Sequence, residues 1–368
     1  MVEEKDILIV GAGPAGIGLG VALQKISARF GILERAKTGA SFRRWPQETR
    51  MITPSFTSNA FNLPDLNALT PETSPAYSLG REHPSGREYA RYLEALARHY
   101  ELPVVEGTRV TKVARLEGTE GFLVHTNRGL FRSRFLVWAV GEFSFPHWPF
   151  EGAQHGLPYS RVRSWGSVEG QQQVIIGGYE SGIDAAYHLV MLGKEVMVFD
   201  PKAPWKRRTG EPSLDLSPFT LERLQKALDT RRLSLVELGV ERIEKKRGGY
   251  LVHHTHGVLQ APHRPILAAG FGNGLEPLEG LLEVTEGRPL LSEKDESTVA
   301  RGLFLVGPKV NHHQTAFCFI YKFRARFPVV ALEIGQRLGL DTSPLEAYRK
   351  RGMWADDLEA CCTSRCVC

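Results

Sequence analysis

Ile7 to Val10 form the first uninterrupted apolar run of the chain, directly after the charged opening MVEEKD. A short run with no polar face predicts a strand buried on both sides. Glycines at 11, 13 and 16 follow it, an apolar-rich stretch to Lys25 predicts a helix, and FGILE reads as a second strand closing on Glu34. The alternation returns at QQVIIGGYESGIDAAYHLVMLGKEVMVFD, with Val174 to Ile176 as strand, glycines at 177, 178 and 182, a helix, and a strand ending in Asp200. Glu34 stands 18 residues after Gly16 and Asp200 stands 18 after Gly182, so the chain contains an internal repeat with its spacing preserved. Val104 to Val113 and Phe122 to Thr126 alternate like strands of a small sheet. The stretch HHQTAFCFIYKFRARFPVVALEIGQRLG is apolar at helical spacing and predicts a helix with Cys318 buried inside it.

The glycine spacing carries chemistry. In G-x-G-x-x-G, Gly11 permits the tight turn, Gly13 leaves room for a pyrophosphate, and Gly16 lets helix and strand pack closely. The unpaired N–H groups of the helix start then face the phosphates, and Glu34 is placed to accept hydrogen bonds from ribose hydroxyls. In the second copy the middle glycine is replaced by Tyr179, whose side chain either crowds the pyrophosphate or lies over it as a gate. Asp200 favours a free ribose 2'-hydroxyl, whereas Lys202, Lys206, Arg207 and Arg208 could clamp a 2'-phosphate, so both NADH and NADPH stay open.

Composition narrows the class. The 368 residues suffice for two domains of ordinary size, and 42% hydrophobic with 24% charged residues are globular values. A net charge of +5, spread over short clusters such as Lys245-Lys246-Arg247, argues against nucleic-acid binding. No charged n-region with an apolar h-region opens the chain, and no apolar stretch approaches the roughly 20 residues of a membrane helix. The expectation is a soluble cytoplasmic protein with reduced thiols.

With both loops in view, the chain resembles the two-dinucleotide-binding-domain flavoproteins of the pyridine nucleotide-disulfide oxidoreductase superfamily. FLVWAVGEFSFP, PILAAGFG and GLFLVGPKV resemble that superfamily's return strands, and FRRWPQETRMITP has some likeness to flavin monooxygenases. Thioredoxin-reductase-like and bacillithiol-disulfide-reductase-like members are the most similar. The implied fold is α/β, with an FAD domain (residues 1–165 and 295–340) interrupted by an NAD(P)H domain (166–294), and a flexible Cys-rich extension over 341–368. The implied cofactors are FAD and NADPH or NADH. Contacts to FAD fall on Gly11, Gly13, Pro14, Ala15, Gly16, Glu34, Arg35, Trp45, Val110, Gly141, Gly307, Gln314 and Thr315. Those to NAD(P)H fall on Gly177, Gly178, Glu180, Ser181, Gly182 and Asp200. The helix after His312 and His313 should point its N-terminus at the flavin, while Trp148 belongs to the core. Several family features are absent: the Cys-x-x-Cys of thioredoxin reductases, the early cysteine pair of glutathione-reductase-type enzymes, the loop cysteine where Ala15 stands, and the Asp that would follow Gly307.

Four of the five cysteines, Cys361, Cys362, Cys366 and Cys368, crowd the last eight residues, CCTSRCVC. The spacing lacks the C-x2-4-C pairs of structural zinc sites, although passing contact with a soft metal ion is open. Disulfide exchange fits best. Adjacent cysteines have Cα atoms about 3.8 Å apart, below the roughly 4.4 Å of relaxed disulfides, so a Cys361–Cys362 bridge would be strained, oxidising and labile. Arg365 favours the Cys366 thiolate. Mercuric reductases and large thioredoxin reductases resemble this arrangement in carrying electrons on a C-terminal cysteine pair. The leading expectation is an FAD-dependent NAD(P)H oxidoreductase passing electrons from flavin through these cysteines to a small-molecule or protein disulfide or a soft metal, with a homodimer as an admissible assembly. The alternative is a monooxygenase or oxidase whose tail acts as sensor or metal sink.

Overall fold

The computed structural model describes residues 2–57, 63–116, 118–285, 287–312, 315–356 and 358. The first apolar run becomes β1 (Val2–Val10), followed by α1 (Pro14–Lys25) and β2 (Phe30–Leu33). β1 and β2 are parallel, Ile9 opposite Ile32, because α1 carries the chain back across one face of the sheet. Short helices α2 (Ala40–Arg43) and α3 (Pro75–Leu79) lead to α4 (Gly86–His99), where Ser85 and Glu88 form a capping box. β3 (Val104–Val105) adds beyond β2, and β4 (Val110–Arg115), β5 (Phe122–Thr126) and β6 (Gly129–Trp138) run antiparallel to one another.

These strands make one seven-stranded sheet, ordered β3-β2-β1-β6-β5-β4, with β17 (Leu303–Leu305) also paired to β6. The small separate sheet expected from the alternation does not form. β6 is ten residues long, and one of its edges serves two partners: Gly129 to Ser133 pair with β5, Leu136 to Trp138 with β17.

The second copy builds a five-stranded parallel sheet, ordered β10-β9-β8-β14-β7. Its strands are β7 (Leu157–Pro158), β8 (Gln172–Ile176), β9 (Glu195–Phe199), β10 (Leu233–Val236) and β14 (Ile266–Leu267). Helices α5 (Glu180–Met191) and α6 (Pro218–Asp229) belong to it, and β11 (Val240–Lys246), β12 (Gly249–His254) and β13 (Gly257–Ala261) form an antiparallel layer beside it. Tyr159, Val162 and Trp165 pack in the core of this second unit, whereas Leu275, Leu278 and Leu281 pack in the first. Trp148, expected in the core, is 40% exposed.

Two small hairpins, β15 (Val284–Thr285) with β16 (Arg288–Pro289) and β18 (Asn311–His312) with β19 (Thr315–Ala316), precede the last described helices. α7 (Ile320–Phe323) passes through a 3-10 turn into α8 (Phe327–Arg337), and α9 (Glu346–Lys350) follows. The expected helix thus begins only after Cys318. The reason is a buried charge cluster: Asp295, itself at φ +63°, receives both Arg326 Nε at 2.9 Å and the His312 ring at 2.5 Å, which draws residue 312 into a hairpin. Among the described residues, no helix is long and apolar enough to cross a membrane.

Candidate active site

The two glycine turns are built alike. At the first, Gly11 has φ +108°, and a Cβ there would lie 2.5 Å from the Ala139 carbonyl oxygen; at the second, Gly177 has φ +102° and the same conflict at 2.3 Å with Ala268. Gly16 and Gly182 sit so close to the turn that a Cβ on either would lie 1.8 Å from the carbonyl oxygen of Gly11 or Gly177. The acids match as well. Glu34 accepts the backbone N–H of Ala12 at 2.9 Å and of Ala36 at 2.8 Å. Asp200 accepts those of Gly178 and Lys202, both at 2.8 Å. Each carboxylate is thus oriented by two N–H groups at the edge of its turn.

A cavity of about 560 Å³ opens in front of the first turn. Gly11, Gly13, Pro14, Ala15, Glu34 and Arg35 line its near end, and Trp45, Val110 and Gly141 line its sides. Glu180 and Ser181, from the start of the second unit's helix α5, line it too, so one space is walled by the first dinucleotide turn and by the helix that follows the second. Gly16 and Gly182 pack against the turn carbonyls, and neither they nor Gly177, Gly178 and Asp200 are among the residues that line this cavity. Gly307 packs with its Cα side toward Ala15, 3.2 Å from where its own Cβ would be, and Pro308 takes its place on the wall. Thr315 lies in β19, away from that lining. Gln314, His313, Cys361, Cys362, Cys366 and Cys368 lie outside the described residues.

Two corrections concern the last stretch. Cys318, expected as an inert thiol inside a helix, is exposed, precedes α7 and lines the cavity, with its sulfur 3.2 Å from Ser213 Oγ. Although the residue has an exposed surface, the protein atoms crowding the cavity wall partly desolvate the sulfur and raise its pKa, against the pull of Ser213 and Lys322. His312 pairs with Asp295 in the core and does not line the cavity. The helix N-terminus does reach the cavity, through Phe319 and Ile320.

The residues present fit FAD. Gly13 is extended (φ −84°), and a Cβ there would meet no protein atom within 4 Å, so the space in front of it is open. Three buried polar atoms, Arg44 Nε, Asn67 Oδ1 and Thr108 Oγ1, have no partner among the described residues, and all three residues line this cavity. Orphaned polar atoms are costly unless a ligand meets them. At the second turn, Tyr179 Oη donates to the carbonyls of Asp215 at 2.9 Å and Pro212 at 3.2 Å, fastening the loop from Thr209 to Ser217 over the turn. Glu180 accepts Ser217 N–H at 2.6 Å at the end of that loop, and burial pushes its carboxyl pKa up. Among the described residues, no three His, Cys, Asp or Glu side chains converge as a metal site.

Sequence reasoning missed the far wall: Thr49, Asn67, Phe143, Asp184 and Phe271. Only the likeness of FRRWPQETRMITP to flavin monooxygenases pointed near it.

Two parallel-sheet units, each with a glycine turn of the same build, and a cavity lined by the first turn and by the start of the helix after the second, define a two-dinucleotide oxidoreductase fold. The chain belongs to the pyridine nucleotide-disulphide oxidoreductase family, whose model matches residues 8–307. Membership implies FAD and NAD(P)H as cofactors and an FAD-dependent oxidoreductase as the enzyme class. The chain is 28% identical over 193 residues to the oxidoreductase CzcO of Bacillus velezensis, a match covering 50% of this chain and 51% of that protein, about half its length. The fold is similar to that of bacillithiol disulfide reductase Bdr from Staphylococcus aureus (TM-score 0.73, 18% identity, 91% of this chain and 99% of that one). It is also similar to a flavin-containing monooxygenase from Stenotrophomonas maltophilia (TM-score 0.70, 17% identity, 92% and 100%).

Proposed function

We propose that this protein is an NAD(P)H-dependent disulfide reductase whose C-terminal thiols carry electrons from the cavity to a disulfide substrate. Bound FAD supplies two-electron chemistry between the nicotinamide and an acceptor. The protein's share is to hold both dinucleotides, with Gly11, Gly13 and Glu34 for the flavin at the cavity and Gly177, Gly178 and Asp200 for the nicotinamide cofactor at the turn before α5, whose Glu180 and Ser181 reach the same cavity. The disulfide reductase Bdr has this fold, as do monooxygenases, so fold does not choose the acceptor.

The observation that carries the reading is where the tail begins. Ala355 N–H donates to the Ala325 carbonyl at 3.1 Å, the Arg326 guanidinium donates to the Ala355 carbonyl, and Met353 is fully buried. Ala325 lies five residues beyond Ile320, which lines the cavity, a helical distance of roughly 9 Å. The six residues from Ala355 to Cys361 reach up to about 20 Å, so tail thiols come within range of the cavity mouth. Two electrons and two protons convert a tail disulfide to two thiols, which then reduce the substrate disulfide by exchange. A reducing cytoplasm suits such cycling thiols.

Anaerobic titration with NADH and NADPH, with thiols counted before and after, tests this directly. Removing residues 361–368 should leave flavin reduction intact and abolish turnover of disulfides. Disulfide reduction at the full rate by the truncated enzyme overturns the carrier, and equal peroxide production by both forms makes oxygen the acceptor.

A further inference from the structure

The walls of the cavity come from two units, and a buried polar knot joins them. Thr49 belongs to the segment 49–53 that lines the first unit's side, while Tyr159 and Asp184 pack with the second. Asp184 is 6% exposed and sits one turn along α5 from Ser181. It accepts Thr49 Oγ1 at 2.7 Å, Tyr159 Oη at 2.8 Å and Arg223 Nη1 at 2.8 Å, and Thr49 Oγ1 lies 2.8 Å from Tyr159 Oη. Arg223 is itself held, by the His188 ring at 2.5 Å and by the rings of Tyr187 and Phe219 at 4.4 Å and 4.9 Å. The neighbouring residues reinforce the joint: Gln47 N–H donates to the Arg163 carbonyl at 3.0 Å, and Trp165 N–H to Glu48 at 3.1 Å.

A buried carboxylate with three donors, one of them a pinned guanidinium, is fully satisfied and has one arrangement. It stands where α5, the helix that begins at the second dinucleotide turn, meets the loop lining the flavin side. We infer that Asp184 is a positioning residue: through Thr49 and Tyr159 it fixes helix α5 against segment 49–53, and so sets the separation of the two dinucleotides across the shared cavity. The inference rests on the reading that NAD(P)H reduces the bound flavin, and it holds whichever acceptor then takes the electrons. Transfer between bound partners demands reacting atoms within about 3–3.5 Å, and small displacements at a distance are costly.

The test uses FAD-loaded full-length protein with Thr49→Val, Thr49→Ser and the pair Thr49→Val/Tyr159→Phe, near-isosteric changes that remove donors to Asp184 without emptying space. Two readouts are taken: anaerobic flavin reduction at saturating NADPH, and hydrogen–deuterium exchange of α5 and segment 49–53. The expected result, on flavin-saturated protein at saturating NADPH, is a reduction rate at least threefold lower in Thr49→Val and at least tenfold lower in the pair, restored by Thr49→Ser, with exchange faster in both segments. A pair variant that reduces within twofold of wild type, or whose exchange in both segments is unchanged, overturns the inference. If NADPH and NADH both fail to reduce the wild-type flavin, the functional reading fails, and the exchange measurement still decides whether Asp184 fixes the helix.

Discussion

Gly13→Val separates holding a cofactor from holding the fold. Gly13 has φ −84° and ψ −170°, an extended conformation valine adopts readily, and a Cβ there meets no protein atom within 4 Å. The apoprotein should therefore change by no more than about 0.5 kcal/mol. The isopropyl group projects into the open space before the first turn, where the pyrophosphate must approach the backbone. Losing two hydrogen bonds from backbone N–H to a charged phosphate removes roughly 3–6 kcal/mol, or about a hundredfold to ten-thousandfold in Kd. Gly16→Ala is the contrast, because its Cβ would lie 1.8 Å from the Gly11 carbonyl oxygen, a backbone atom that cannot turn away. Fluorescence titration of FAD into apoprotein, with urea unfolding of the same samples, reads both quantities. Gly13→Val should bind FAD at least a hundredfold more weakly and unfold like wild type, whereas Gly16→Ala should lose stability before FAD is added. Wild-type FAD affinity in Gly13→Val, or equal destabilisation by both substitutions, would refute the reasoning.

Three further outcomes are expected. Tyr179→Phe removes the hydrogen bonds to Pro212 and Asp215 that fasten the loop over the second turn, so opening costs about 1 kcal/mol less and NAD(P)H should bind about fivefold more tightly with FAD content unaltered; equal or weaker binding by equilibrium titration counts against gating. Asp295→Asn keeps the shape and tolerates φ +63° but strands the buried Arg326 without its counter-charge, and urea unfolding should show a loss of about 3 kcal/mol; a loss under 1 would mean that the carbonyls of Glu293 and Ala355 suffice. In protein lacking residues 361–368, Cys318 is the single thiol left; desolvation raises its pKa, so its labelling by a thiol reagent should level off at a higher pH than that of free cysteine, and a plateau at or below the free-cysteine pH would contradict the effect of desolvation.

The strands and both glycine turns were legible in the sequence because their causes are local. An apolar run of four to eight residues has one buried solution beside a helix of opposite periodicity, and a glycine at φ above +100° followed by a close-packed glycine leaves little choice of turn. The acids at 34 and 200 belong to the same local geometry, each reaching back to its own turn. What only the tertiary structure decided lies across the cavity. Thr49 and Asp184 are 135 residues apart and Cys318 and Ser213 are 105 apart, and no periodicity reports such meetings. Apolar spacing alone placed Cys318 within a helix. The buried Asp295–Arg326 ion pair and the hydrogen bond between Asp295 and His312 override that local preference, since leaving these polar groups unpaired in the core costs more than the turns of helix forgone. A segment's own residues state how it can fold, and the free energy of pairing buried polar groups from distant segments decides which of those ways is used.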